Sequence, residues 1–165
     1  MQKRIKVTPA GLVMLQGRKT DLQARLKKVQ GQKGEAAEVG GNQWHDNFSF
    51  EDLCRQETTI NQQLAEINSL LDSTDVVRTP KDENVLEIGH VASFEYEDGS
   101  TKVIEVCGFG ETDLKTTPPK VEYCAPLLLV FMGCAKGTTE GVRVGKRYMQ
   151  ATLTTISKKE VRDDD

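Results

Sequence analysis

Gly40-Gly41-Asn42-Gln43-Trp44-His45-Asp46-Asn47-Phe48-Ser49-Phe50-Glu51-Asp52 separates two segments whose apolar residues recur at heptad spacing. On its N-terminal side Leu12, Leu15, Lys19, Leu22, Leu26, Val29, Lys33 and Ala36 are spaced 3-4-3-4-3-4-3. On its C-terminal side Phe50, Leu53, Glu57, Ile60, Leu64, Ile67 and Leu71 repeat the pattern. Each set is a coiled-coil seam. Two helices of similar length joined by a short glycine-bearing turn must fold back on each other, so the spacing predicts an antiparallel hairpin over residues 1–74 with its tip at 40–52. A dimerising coiled coil is the weaker alternative because Gly40-Gly41 interrupts the seam midway, and a monomer is expected.

Working outward, Thr8-Pro9 reads as a helix start: a hydroxyl able to cap free N–H groups, then a proline whose missing N–H costs nothing there. Gly17, Gly31 and Gly34 each weaken the first helix by about 1 kcal/mol relative to alanine. Past the second seam, residues 75–84 lose the heptad and read as a linker. The periodicity then changes to that of strands. Val85–Tyr96 and Thr101–Cys107 flank Asp98-Gly99, a turn signal, and Gly108–Lys120 reads as a polar loop. Val121–Cys124, Val142–Val144 and Tyr148–Ile156 read as further strands. Between them Pro126 opens and Gly133 closes an apolar segment that predicts a short buried helix across the sheet. The fold class is therefore α+β: a helical hairpin, then a mostly antiparallel sheet domain over 85–157, then an acidic tail at 158–165.

Composition narrows the function classes. The net charge of -3 over 165 residues hides a polarity along the chain. Residues 1–33 carry nine Lys or Arg against the single acid Asp21, while 34–54 carry five acids and no Lys or Arg. A basic shaft thus leads to an acidic tip. No run approaches the ~20 apolar residues that span a bilayer, and the basic N-terminus lacks the apolar core of a signal peptide. A cytoplasmic, membrane-free protein is expected. Its four cysteines show no metal-ligand spacing with His45 or His90, so they are expected to be reduced and mostly buried, with no zinc.

This order of parts is similar to the Gre family of bacterial transcription elongation and transcript-cleavage factors, from Val7 to Ile156. Four local matches carry the resemblance: Val7-Thr8-Pro9-Ala10-Gly11-Leu12, like the family's threonine-led helix start; Asp46-Asn47-Phe48-Ser49-Phe50, like its Glu-Asn-Ala-Glu-Tyr tip; Val106-Cys107-Gly108-Phe109-Gly110-Glu111-Thr112-Asp113, like its Ile-Val-Gly followed by acids; and Ala125-Pro126 to Gly133, like its Ser-Pro helix.

The resemblance implies an FKBP-like C-terminal domain that docks on RNA polymerase core, and a hairpin inserted through the secondary channel toward the nascent RNA 3′ end. It implies no intrinsic cofactor, only a Mg²⁺ shared with the polymerase, which prefers hard oxygen ligands and needs few from the factor. The chain itself would be no enzyme. Asp46, with Glu51 and Asp52, would assist cleavage, Asp46 touching the metal. Trp44, Asn47, Phe48, Pro126, Lys19, Arg25 and Lys28 would meet polymerase or RNA. Gln43 stands where the family's cleavage factors carry an acid, which leaves two versions open: stimulation of cleavage, or a non-cleaving or inhibitory paralogue. Two alternatives stand outside the family's function: a peptidyl-prolyl isomerase or chaperone with a coiled-coil arm, and an adaptor whose hairpin binds another partner.

Overall fold

The computed structural model describes residues 4–39 and 48–158. Its elements are β1 (Ile5–Val7), α1 (Pro9–Val39), α2 (Phe48–Asp72), β2 (Thr74–Val76), β3 (His90–Tyr96), β4 (Thr101–Cys107), β5 (Lys120–Glu122), α3 (Pro126–Phe131), β6 (Thr139–Val144) and β7 (Arg147–Lys158). The chain forms two units: residues 1–3 with 12–74, and residues 4–11 with 75–165. No described helix is long and apolar enough to cross a membrane.

The first unit follows its heptads closely. From Val13 to Glu38 the positions of α1 that are not exposed are the seam: Leu15, Leu22 and Val29 are buried, and Lys19, Leu26, Lys33 and Ala36 are half-buried. On α2 Ile60 and Ile67 are buried and the remaining seam residues half-buried, joined by Cys54 and Leu70. The two lysines keep the period because their stems pack while the ammonium reaches water. α1 runs through Gly17, Gly31 and Gly34, where an added Cβ would meet open space. α2 already begins at Phe48, so 48–52, read as part of the tip, is helix. The last carbonyls of α2 are met by local hydroxyls, Ser73 and Thr74 donating to Ser69 and Leu70.

In the second unit the sheet order is β5-β4-β3-β7-β6. The β4–β3, β3–β7 and β7–β6 pairs are antiparallel, but β5 runs parallel to β4, so the sheet is mixed rather than antiparallel throughout. The β3–β4 hairpin turns on Asp98-Gly99 as expected: Gly99 sits at φ +80°, and Ser100 donates its backbone N–H to the Asp98 carboxylate at 2.9 Å. The hydrogen bond from the Ser100 hydroxyl holds the Asp98 carboxyl below its ordinary range. β3, read from the sequence as starting at Val85, begins only at His90, and Val85 makes an isolated bridge to Ala135. One face of the sheet and α3 enclose the core, with Phe94 and Phe131 in tilted contact at 5.1 Å between ring centroids.

β1 and β2 pair with each other, and β1 is tied into the second unit by Phe109 donating to the Lys6 carbonyl at 2.8 Å and Val77 donating to Val7 at 2.8 Å. Residues 4–11 therefore belong with the sheet rather than with the helices, and 75–84 carries the end of a strand.

The entry to α1 is built as read, with an added partner. The Thr8 hydroxyl accepts from the Gly11 N–H at 3.1 Å, a helix cap. A capping box would place Glu at position 11 to accept from the Thr8 N–H. Here Gly11 leaves that place empty and Glu111, from the β4–β5 loop, fills it, accepting from the Thr8 N–H at 2.8 Å and from its hydroxyl at 2.6 Å. A Cβ on Gly11 would collide with the Glu111 carboxyl.

All four cysteines are free, but only Cys107 is buried; Cys54, Cys124 and Cys134 are half-buried, contrary to the expectation of mostly buried thiols. Burial pushes the Cys107 thiol up to about 12, which makes it a poor nucleophile.

Candidate functional site

Trp44, Asp46 and Asn47, with Gln43, lie outside the described residues. The described part of the tip is the first turns of α2. Phe48 is 76% exposed there, too exposed to be core. Glu51 and Asp52 are exposed in the same turns, where the helix dipole favours acids irrespective of any further role. As neighbours in sequence they leave the helix about 100° apart, and Asp52 accepts from Gln56 Nε2 at 2.6 Å one turn on. Among the described residues no group of three or more His, Cys, Asp or Glu could hold a metal ion.

Behind the tip a polar knot crosses the seam. Lys33 Nζ lies 2.7 Å from Glu57 Oε2, Gln30 Nε2 donates to Glu57 Oε1 at 3.0 Å, and the Lys33 ammonium stands 5.7 Å from the Phe50 ring centre. The Lys33 hydrogen bond, then that of Gln30, holds the Glu57 carboxyl below its ordinary value of 4.5. The Glu57 hydrogen bond in turn raises Lys33 above 10.5. The sign follows from linkage: the Glu57 contribution is present above the ordinary glutamate value and is lost as pH falls through the lower folded one, while the Lys33 contribution is lost only as pH rises past 10.5. Glu57→Gln is therefore expected to destabilise the protein at pH 7, and the gap is expected to narrow as pH falls past 4.5 through the lowered folded value. Urea titrations of both proteins from pH 7 to pH 3 check this, and a gap that stays constant over that range would contradict it.

Of the shaft cations, Lys19 is half-buried in the seam, whereas Arg25 and Lys28 are exposed. These two line an open groove of about 520 Å³ floored by Val29 and Ile60. The sequence reading missed Arg55, which joins them from α2. Its signal was weak, since it is the only basic residue on that helix.

Pro126 is exposed at the first position of α3, after Ala125, which caps without a side-chain hydrogen bond. The helix is not buried as expected. Leu128 and Phe131, three apart, turn inward and are fully buried, while Leu129 and Val130 are 56% and 40% exposed. A six-residue helix lying on a sheet has one face to bury, so Leu127 packs half-buried at its edge while Leu129 and Val130 look outward. The structure thus gathers Arg25 and Lys28 at one groove and sets Pro126 beside Leu129 and Val130 on the outer surface of α3.

No protein-family profile and no curated protein matches the chain. Among solved structures it is similar to the transcription factor Gfh1, at 19% identity and a TM-score of 0.45, with 94% of this chain and 99% of that one covered. It is also similar to the GreA factor homolog 1 (Gfh1) protein of Thermus thermophilus, at 18% identity and a TM-score of 0.42, over 93% of this chain and 98% of that one. Against the prokaryotic transcription elongation factor GreA/GreB from Nitrosomonas europaea it shows 15% identity and a TM-score of 0.40, over 57% and 78% of the two chains.

Proposed function

We propose that this chain is a Gre-like accessory factor that binds RNA polymerase core, reaches through its secondary channel with an antiparallel helical hairpin, and modulates backtracked elongation complexes without being an enzyme itself. The observation that carries the reading is the pairing of two heptad seams: Lys33 bonds Glu57, and Val29 shares a groove with Ile60, so numbers rising along α1 meet numbers falling along α2. At 1.5 Å per residue, the 25 residues of α2 give an arm of about 37 Å, with the acidic segment at its far end.

The sheet unit, with α3 laid across its core face, is read as FKBP-like in shape. Its exposed apolar residues Pro126, Leu129 and Val130 offer polymerase apolar side chains on one short helix, the kind of surface that protein partners cover. Lys19, Arg25 and Lys28 add positive charge along the shaft, which suits acidic channel walls or an RNA backbone.

Asp46 is read as contributing one carboxylate to a Mg²⁺ shared with polymerase, an ion that accepts a single protein carboxylate and keeps several waters. The described residues supply no cluster that would hold it alone. Glu51, exposed and next in sequence among the acids, is read as assisting, as is Asp52, which accepts from Gln56. Trp44, Asn47 and Phe48 are read as contacts to polymerase or RNA.

Gln43 favours the version in which cleavage is weak or absent and occupancy of the channel does the work, because an amide cannot supply the negative charge of a carboxylate. Adding the protein to a backtracked elongation complex and following RNA length tests this. The expected result is little shortening of the transcript, with Gln43→Asp increasing it. Efficient cleavage by the unaltered protein, abolished in Asp46→Ala, would overturn the non-cleaving version and establish the stimulating one.

A further inference from the structure

The groove beside the helical seam has a composition that solvation alone does not require. Arg25 and Lys28 stand three residues apart on one face of α1, and Arg55 faces the same space from α2. No acid lines the groove. Neither the Arg4–Asp75 nor the Lys33–Glu57 ion pair uses these three cations. Gln56, also on the lining, donates its amide to Asp52 at 2.6 Å. Between the cations the floor is apolar, formed by the buried seam residues Val29 and Ile60. Gln63 at the margin offers both a donor and an acceptor.

We propose that this groove binds a nucleoside triphosphate. Its volume of about 520 Å³ falls within the range of small-ligand sites. Guanidinium groups match phosphate oxygens in a two-pronged geometry, and two of them with a lysine concentrate three positive charges on a polyphosphate. The apolar floor accepts a flat base, over which an arginine plane can stack. The side-chain amide of Gln63 can meet the base edge. The site lies wholly within the helical unit and is a property of the free chain, so it does not rest on the polymerase reading.

Calorimetric titration of the full chain with adenosine triphosphate, tripolyphosphate, adenosine and a five-nucleotide RNA tests the inference. The triphosphate is expected to bind more tightly than tripolyphosphate or RNA, and adenosine alone is expected to give no measurable heat. The triple variant Arg25→Gln, Lys28→Gln, Arg55→Gln is expected to lose about tenfold or more in affinity. Its helical circular dichroism should be unchanged, because all three residues are exposed. Lys146→Gln, in the β6–β7 turn, should bind like the unaltered chain. Equal affinity for tripolyphosphate and the nucleotide would overturn the proposal, since the base would then make no contact. Tighter binding of the RNA would also overturn it, in favour of a strand-tracking surface. Unchanged binding by the triple variant, or an equal loss in Lys146→Gln, would place the anion elsewhere.

Discussion

Gly108→Ala is expected to cost the protein about 3 kcal/mol, the upper range for forcing atoms into a filled space. The added Cβ would lie 2.6 Å from the Val7 Cα and 2.9 Å from the Thr8 nitrogen, and would also strike the Glu111 carboxyl. Backbone cannot rotate away as a side chain can, so β1 must shift and the cap on α1 with it. Gly11→Ala differs in kind, because its three nearest obstacles are all atoms of the Glu111 side chain. It should cost about 2 kcal/mol by expelling Glu111 from Thr8, much as Glu111→Ala should, since either change removes two charge-assisted hydrogen bonds. The double variant should then cost little more than either single one. Adding Glu111→Ala to Gly108→Ala should relieve only the contact with that carboxyl and leave the backbone collisions with Val7 and Thr8 in place. Urea unfolding of the set measures each value; additivity of Gly11→Ala with Glu111→Ala would show that the carboxyl does not occupy the space Gly11 leaves.

Phe131→Ala is expected to destabilise the sheet unit by about 3 to 5 kcal/mol. Phe131 is fully buried, packs on Phe94, and with Leu128 is one of the two fully buried side chains of α3, Leu127 packing half-buried beside them. Six residues make too short a helix to persist without that anchorage. The exposed Leu129 and Val130 would then lose their fixed positions, so binding of any partner at that patch should fall with stability. Leu129→Ser should instead leave stability within about 0.5 kcal/mol, as exposed positions usually do, and weaken only the docking. A Phe131→Ala protein with unfolding unchanged would contradict the packing described.

These contrasts mark how far the sequence could be read. The helical unit was legible because a period of 3.5 repeated over seven or eight positions survives the intrusion of Lys19, Lys33 and Glu57 at the seam. The Thr8 cap and the Asp98-Gly99 turn were legible because their chemistry is local, confined to four residues each. β1 and β2 gave no signal, since each is three residues long and abuts a helix whose pattern dominates its neighbourhood. β5 was recognised nearly in place but not its parallel direction, which depends on a loop rather than on its own residues. The Glu111 bond to Thr8 spans 103 positions, and nothing local announces it. α3 was found from proline and glycine but taken as wholly buried, because an unbroken apolar run does not say which of its sides meets the sheet. At the functional end, the acids and Trp44 could be named from their place between the seams, while Arg55 entered only when folding set it across from Arg25 and Lys28.

On the proposed reading, a basic helical arm with an acidic end belongs in the RNA polymerase secondary channel. The most direct measurement is binding of the labelled full chain to RNA polymerase core, with and without an excess of a known secondary-channel factor. The expected result is a saturable complex that the competitor displaces and that Leu129→Ser weakens. No complex at micromolar protein, or a complex the competitor leaves intact, would contradict it.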